Sequence, residues 1–392
     1  MIPPQDEGPH PQESESTARG ITRRCLLLGA GAVAGAAGGA GVALAVGNRL
    51  TPDAEKAFAV NAIGAHQAGI QRPSIPQQHC IVAVGDLDLT MLRQTLADLG
   101  SQIARVTDPR RPVPALTPDG VGDLTITVGI GERSLAVTAD PGVADAVALP
   151  AFIGDTALPP GRRGGDILLS VNASDPGVLE PVLESLVATI PGFTLRWSDF
   201  GFRGHADEGI VRNPFGYHDG IIVPTTTREF DQNVWIASGR LAGGSILVIR
   251  RFALNTAGFR ALALERRDAI IGRSQASGAP LSGGSRGDEA NLAAKTPTGE
   301  LVVPARSHVR AAHPSFTGSD LMLRRSYSYR AAGDDHGHMF VSYQADVLTF
   351  VRTQQRLDEM DDLMGFSTPT ATGAFAVLPG FTTTSPLGAS LF

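Results

Sequence analysis

What most limits the fold of this chain is an alternation, met twice, of short β-branched runs with helically spaced apolar residues. Residues 79–84, HCIVAV, read as a strand. Over residues 87–99, Leu89, Leu92, Leu96 and Leu99 recur at helical spacing and define one apolar helix face. Pro109, Pro112, Pro114 and Pro118 make the next stretch a loop. Residues 124–129, LTITVG, alternate as a strand does, and residues 166–171 give another after the Gly164-Gly165 turn. Residues 176–190 read as a second helix and residues 194–197 as a fourth strand. The second half repeats the order, with a strand at 244–251, a helix at 262–272, strands at 321–329 and 339–345, a helix at 350–364 and a strand at 372–378.

Each half therefore reads β-α-β-β-α-β, the order of a ferredoxin-like unit. The expected fold class is α+β: two ferredoxin-like domains, each an antiparallel β-sheet with flanking helices, related to a dimeric α+β barrel. Residues 75–212 are expected to form the first domain and residues 213–392 the second. The second half departs from the first in a long excursion, residues 273–320, rich in Gly, Ser, Pro and Arg. Loops carry chemistry on rigid scaffolds, so this insertion is the expected wall of a ligand site.

Residues 48–74 read as an entry arm, and residues 1–47 as a leader with a polar, disordered start. Within the leader, Arg23-Arg24 precedes an Ala/Gly-rich apolar run to Val46, the pattern of a twin-arginine export signal. The competing reading is a membrane anchor, because the run is long enough to span a bilayer. Its Gly and Ala content makes it only mildly apolar, and Ala43-Leu44-Ala45 is a candidate cleavage site. The expected destination is outside the cytoplasm: extracellular, periplasmic or on the cell envelope, with no stable membrane association once the signal is cleaved. Cys25 lies in the leader, so Cys80 is the one cysteine of the mature chain. That excludes an internal disulfide, a Cys-based metal site and covalent c-type haem attachment. The net charge of -6 shows no basic face or tail, so nucleic acid is not an expected partner.

Two stretches carry residues suited to chemistry. Residues 302–329, VVPARSHVRAAHPSFTGSDLMLRRSYSY, put His308 after an extended apolar segment and Arg324 after Met322 and Leu323. A neutral imidazole is a common axial ligand of haem iron. An arginine can stabilise charge that develops as a peroxide O–O bond breaks. Residues 216–220, GYHDG, offer Asp219 in a glycine-flanked turn where backbone can approach a flat ligand. Each feature alone has a plainer reading: a packed or surface histidine, a solvated arginine pair, and a turn aspartate bonded to its own backbone. His313 competes with His308 but precedes Pro314, which favours an extended turn. His308, at the end of an apolar strand, is better placed to enter a pocket. His336-x-His338 in a polar turn lacks a carboxylate at metal-ligand spacing, and His66, His79 and His205 have no partner pattern.

The GYHDG stretch resembles the G-x-x-D-G motif of the dye-decolourising haem peroxidases. GGSILVIRRFAL, IIGRSQASGAPL, LAAKTPTGELVVPARSHVRAAHP, LMLRRSYSY, MFVSYQADVLTFVRTQQRL and FAVLPGF follow in that family's order. In the first half LTITVGIG, LPAFIGD and GGDILLSV also match, so the likeness covers nearly all of residues 75–392. It is nearest to the exported, twin-arginine branch. The resemblance implies one non-covalent b-type haem per chain, bound mainly by the second domain. His308 would be the proximal iron ligand, Asp219 the distal acid/base and Arg324 the distal arginine. Arg310 and Arg273 would meet the propionates, by type and position, and Phe340 and Gly220 would line the pocket. Hydrogen peroxide would be the oxidant, and dyes, phenols or other one-electron donors the reductants. Asp219 would move a proton from the near to the far peroxide oxygen while Arg324 offsets the negative charge. Electrons could leave a buried haem through Trp197, Trp235, Tyr327, Tyr329 or Tyr343 if these reach the surface; the plainer expectation is that they are core. Ser326 stands where the family often has Gly. Two other functions fit a haem site: release of haem iron in iron uptake, and a non-enzymatic haem carrier. Asp219 and Arg324 argue against the carrier, and homo-oligomerisation is left open.

Overall fold

The structure, a computed structural model, describes residues 59–204 and 209–392. The leader assigned to residues 1–47, the entry arm as far as residue 58, and His205 lie outside these residues.

In the first half the strands are β1 (His79–Asp86), β2 (Thr125–Ile130), β3 (Ile167–Ala173) and β4 (Thr194–Phe202). In the second they are β5 (Ser245–Leu254), β6 (Tyr327–Arg330), β7 (His336–Gln344) and β8 (Ser367–Val377). Lateral order in the first half is β2-β3-β1-β4, and in the second β8-β5-β7-β6, all antiparallel. Both are the ferredoxin-like order expected from the alternation. The two sheets join at two seams. β8 pairs β2 through Ala376↔Ile130 and Val377↔Gly129. β4 pairs β6 through Gly201↔Tyr329 and Phe202↔Ser328. The eight strands thus close on themselves, and no barrel strand is left with a free lateral edge.

The period of two along each strand sorts side chains between two cores. Val82, Val84, Trp197, Leu247, Ile249 and Tyr327 pack together as one buried cluster. Ala83, Val128, Ile130, Ile246 and Val248 pack with the helices as another. Helix α1 (Leu92–Val106) buries Leu92, Leu96, Leu99 and Ile103 there. Each such residue contributes about 1.5–3 kcal/mol of burial. Helix α2 (Leu179–Val187) adds Leu179, Val182, Leu183 and Leu186. Between β5 and β6 lies α3 (Leu264–Ile271), and between β7 and β8 lies α4 (Val347–Met360). Among the described residues, no helix is long and apolar enough to cross a membrane.

Three differences from the sequence reading bear on the site. The strand expected over residues 321–329 is two pieces, Leu323–Arg324 and β6. Between them the Ser326 hydroxyl accepts the Val341 amide, which a continuous ladder would have given to a carbonyl. The helix expected to begin at residue 350 begins at Val347, because the Asp346 side chain accepts the Leu348 amide as an N-cap. His308 does not end a strand; it opens a one-turn helix, His308–Ala311.

Candidate active site

A large cavity lies against β5 and β7 of the second half and is closed by α4 and the 273–320 insertion. It encloses about 1650 Å³ of non-atom space, open to solvent at its mouth. Every lining residue falls between Asn213 and Ser367. Phe252 and Leu254 come from β5, Phe340 from β7, and Phe350 and Leu357 from α4. The walls are apolar apart from a few polar groups, a pattern suited to a flat hydrophobic ligand.

One polar group is His308. Its Nδ1 lies 2.7 Å from Asp361 Oδ2. Asp361 follows the end of α4, and its Oδ1 accepts the Leu363 amide at 2.9 Å, so the carboxylate is held at both oxygens. With Nδ1 engaged, the other ring nitrogen of His308 is the one left for a ligand in the cavity that this residue lines. Burial lowers the His308 pKa, but the charge and hydrogen bond of Asp361 outweigh burial and leave it raised. Gly272, the left-handed cap of α3 with φ 94°, lets this turn sit close; a Cβ there would meet Val309 and Ser307. His313 also lines the cavity, but both its ring nitrogens are occupied. Nδ1 accepts the Ser315 amide and Nε2 bonds Glu289 at 2.7 Å. Of the two histidines, His308 is thus the one with a ring nitrogen left over from these bonds.

A second polar group comes from the sheet side. Asp219 lies in a short strand, His218–Asp219, paired with Val211–Arg212. The Asn213 carboxamide closes the connection by accepting the Phe215 and Tyr217 amides. Asp219 Oδ1 accepts the Gly220 amide at 2.6 Å and lies 3.6 Å from Arg324 Nε. Gly220, with φ 82°, takes the left-handed conformation this turn needs, and it lines the cavity. Arg324 Nη1 donates to Ile222 O, tying the arginine to the loop after Asp219. His338 was not among the expected site residues. It sits on β7, not in a turn, with Nε2 3.9 Å from Asp219 Oδ2. Burial raises the Asp219 pKa, yet Arg324, His338, the Gly220 amide and His308 outweigh it, and the group ends below the usual carboxylate value.

The model of the family "Dyp-type peroxidase, C-terminal" matches residues 211–382. A dye-decolorizing peroxidase of Thermobifida fusca is 32% identical over 90% of this chain and 93% of its own length. A deferrochelatase of Yersinia pestis is 30% identical over 95% of this chain and 94% of its own length. An oxyferrous complex of DtpA from Streptomyces lividans has a TM-score of 0.78 at 30% identity, covering 85% of this chain and 97% of that one. A DyP-type peroxidase from Streptomyces coelicolor has a TM-score of 0.76 at 30% identity, covering 86% and 98%. This chain belongs to the Dyp-type peroxidase family. As a Dyp-type peroxidase it is an enzyme, and the non-enzymatic carrier falls away.

Dyp-type peroxidases are haem enzymes, and the cavity fits a haem: apolar walls for the macrocycle and an oriented imidazole for its iron. The two arginines expected at the propionates part company in the structure. Arg310 does not line the cavity. Its guanidinium donates to the Val303 and Leu292 carbonyls and so braces the insertion. Arg273 does line the cavity, but it also holds the Gly278, Arg286 and Asp288 carbonyls. The aromatic exit route has no surface end at the residues considered: Trp197, Trp235, Tyr327, Tyr329 and Tyr343 are all buried. As for metal ligands elsewhere, among the described residues no group of three or more His, Cys, Asp or Glu could hold an ion.

Proposed function

We propose that this peroxidase uses one non-covalent b-type haem per chain to reduce hydrogen peroxide and oxidise dyes, phenols or other one-electron donors. The observation that carries the reading is the pairing of an Asp361-held His308 with the Asp219–Arg324 pair around one apolar cavity. His308 would hold the iron through Nε2, with Asp361 fixing the ring plane and raising the basicity of the imidazole. The bound haem would supply the iron that takes peroxide and accepts electrons from the donor. Asp219, as a carboxylate, takes a proton from the near peroxide oxygen and gives it to the far one. Arg324 offsets the negative charge on the parting oxygen without needing to reorganise. Apolar walls keep bulk water away and strengthen both interactions.

The likeness to a deferrochelatase over 95% of the chain supports a second reading, in which the same pocket releases iron from haem. Product analysis separates them. The chain loaded with haem and given peroxide and a phenol is expected to give oxidised phenol and intact haem. Iron-free porphyrin as the main product would overturn the peroxidase reading.

Export by the twin-arginine route is part of the proposal and rests on Arg23-Arg24 before the apolar run. Lysine at both positions should leave precursor in the cytoplasm. Unchanged export of that double variant, followed by fractionation, would refute it.

A further inference from the structure

We propose that His338 is the proton partner of Asp219, relaying protons between that carboxylate and a second, polar compartment that both residues line. The inference rests on the peroxidase reading of the site and assigns a proton route to it.

The two oxygens of Asp219 are unequal. Oδ1 receives the Gly220 amide and faces Arg324, and both favour a bare anion there. Oδ2 is the oxygen left to carry a proton, and it faces His338 Nε2 at 3.9 Å. That separation is too long for a direct hydrogen bond and suits one bridging water.

His338 also lines the second compartment, a small space with room for about one water, together with Arg203, Asn213, Ser326 and Ser328. His338 Nδ1 is buried with no hydrogen-bond partner among the described residues, as are Nε and Nη1 of Arg203. Buried donors and acceptors left unmade are costly, so their presence around a polar space marks a place for ordered water. One imidazole therefore has a nitrogen towards Asp219 and another ring nitrogen with nothing else to bond.

The stoichiometry requires that protons reach the distal side. One peroxide and two donors AH give two waters and two donor radicals A•. The O–O bond breaks, and the donors supply two electrons and two protons. Asp219 can shift the peroxide's own proton from one oxygen to the other, but the two further protons must come from outside. Each donor sheds its proton where it is oxidised, and bulk solvent replaces it at the distal side. The charged and titratable groups facing His338 are Asp219, which favours its protonated form, and Arg203, His308 and Arg324, which oppose it. With burial, the opposing group prevails, and the His338 pKa is lowered. The surroundings thus disfavour the imidazolium, which once formed gives its proton up readily. Acting through Asp219, His338 is a positioning residue of the proton path.

The test uses the full chain loaded with haem, as wild type, His338→Leu and His338→Gln. Both variants are expected to lose about tenfold or more of turnover at saturating peroxide. Their KM for peroxide and their haem content should not change. The acid limb of the pH profile should move to higher pH, because His338 is one of the groups that hold the Asp219 pKa down. A second readout needs no haem: the NMR titration midpoint of His338 should fall in Asp219→Asn. Wild-type turnover and pH profile in both variants, or an unmoved midpoint, would overturn the proposal; if His338→Leu does not fold, His338→Gln is the variant read. If wild type with haem consumes no peroxide, it is the peroxidase reading that fails, and the titration still decides whether His338 and Asp219 are coupled.

Discussion

At the scale of single residues, the site divides one reaction between groups that respond differently to pH. Arg324 contributes a fixed guanidinium charge, as arginine side chains do, whereas Asp219 acts only as a carboxylate. Its lowered pKa keeps it ionised further into acid than an ordinary aspartate. The same shift makes the ionised form stabilising above the ordinary carboxylate range, and that contribution is lost as pH falls through the lowered value. Arg324→Leu should slow peroxide consumption at all pH values by about 10²–10³. Asp219→Asn should slow it by about 10²–10⁴ and abolish the acid limb. Stopped-flow peroxide decay against pH reads both, and a wild-type profile in Asp219→Asn would make the aspartate a turn residue only. His308, Asp219 and Arg324 were legible in sequence because each sits in a motif with fixed neighbours. Asp361 and His338 were not. Their partners lie 53 and 119 residues away, and nothing local to DEMDD or HGHMF announces either contact.

At the scale of elements, the helical period and β-branched runs placed the main strands and helices, while breaks within them needed the partner strand. Residues 336–338, HGH, looked like a turn because Gly usually punctuates chains. In the structure Gly337 is within β7, and a Cβ there would collide with the Phe252 carbonyl. Strand β5 shows the same dependence on distant partners through Arg250, which is fully buried within a hydrophobic run. Its guanidinium forms a fork with Asp155 of the first half, at 2.7 and 3.0 Å, and Thr372 adds a third bond. Asp155→Ala would leave that charge buried and unpaired, at a cost of about 3–5 kcal/mol. Arg250→Met with Asp155→Leu should recover most of the loss, because a buried pair often exchanges for apolar residues without penalty. Urea midpoints of the two variants read this directly, and a loss below about 1 kcal/mol in Asp155→Ala would show the pair to be incidental.

At the scale of the molecule, the expected boundary between residues 212 and 213 is not a gap. It cuts the ladder in which Val211 pairs Asp219, and the sheet runs on through both seams. Sequence periodicity could show two similar halves but not that their sheets share edges, because seam pairing depends on strands far apart in the chain. Each seam has two registered pairs, fewer than the ladders between barrel strands inside either half, the shortest of which has four. Closure nonetheless means that losing one half exposes the unpaired edges and barrel interior of the other. The halves should therefore unfold as one cooperative unit, despite a combined length at which separate domains are common. The chain carries a reporter for each half: Trp197 is buried in β4, and Trp235 is buried before β5 and stacked on His66 at 3.8 Å. Trp235→Phe leaves Trp197 to report the first half, and Trp197→Phe leaves Trp235 to report the second. In urea, each single-tryptophan variant should show a fluorescence transition that coincides with its own loss of far-ultraviolet circular dichroism. A fluorescence change that separates from the circular dichroism transition in either variant would mean that the seams are too short to couple the halves. The second half, which contributes every residue lining the large cavity, would then open independently of the first.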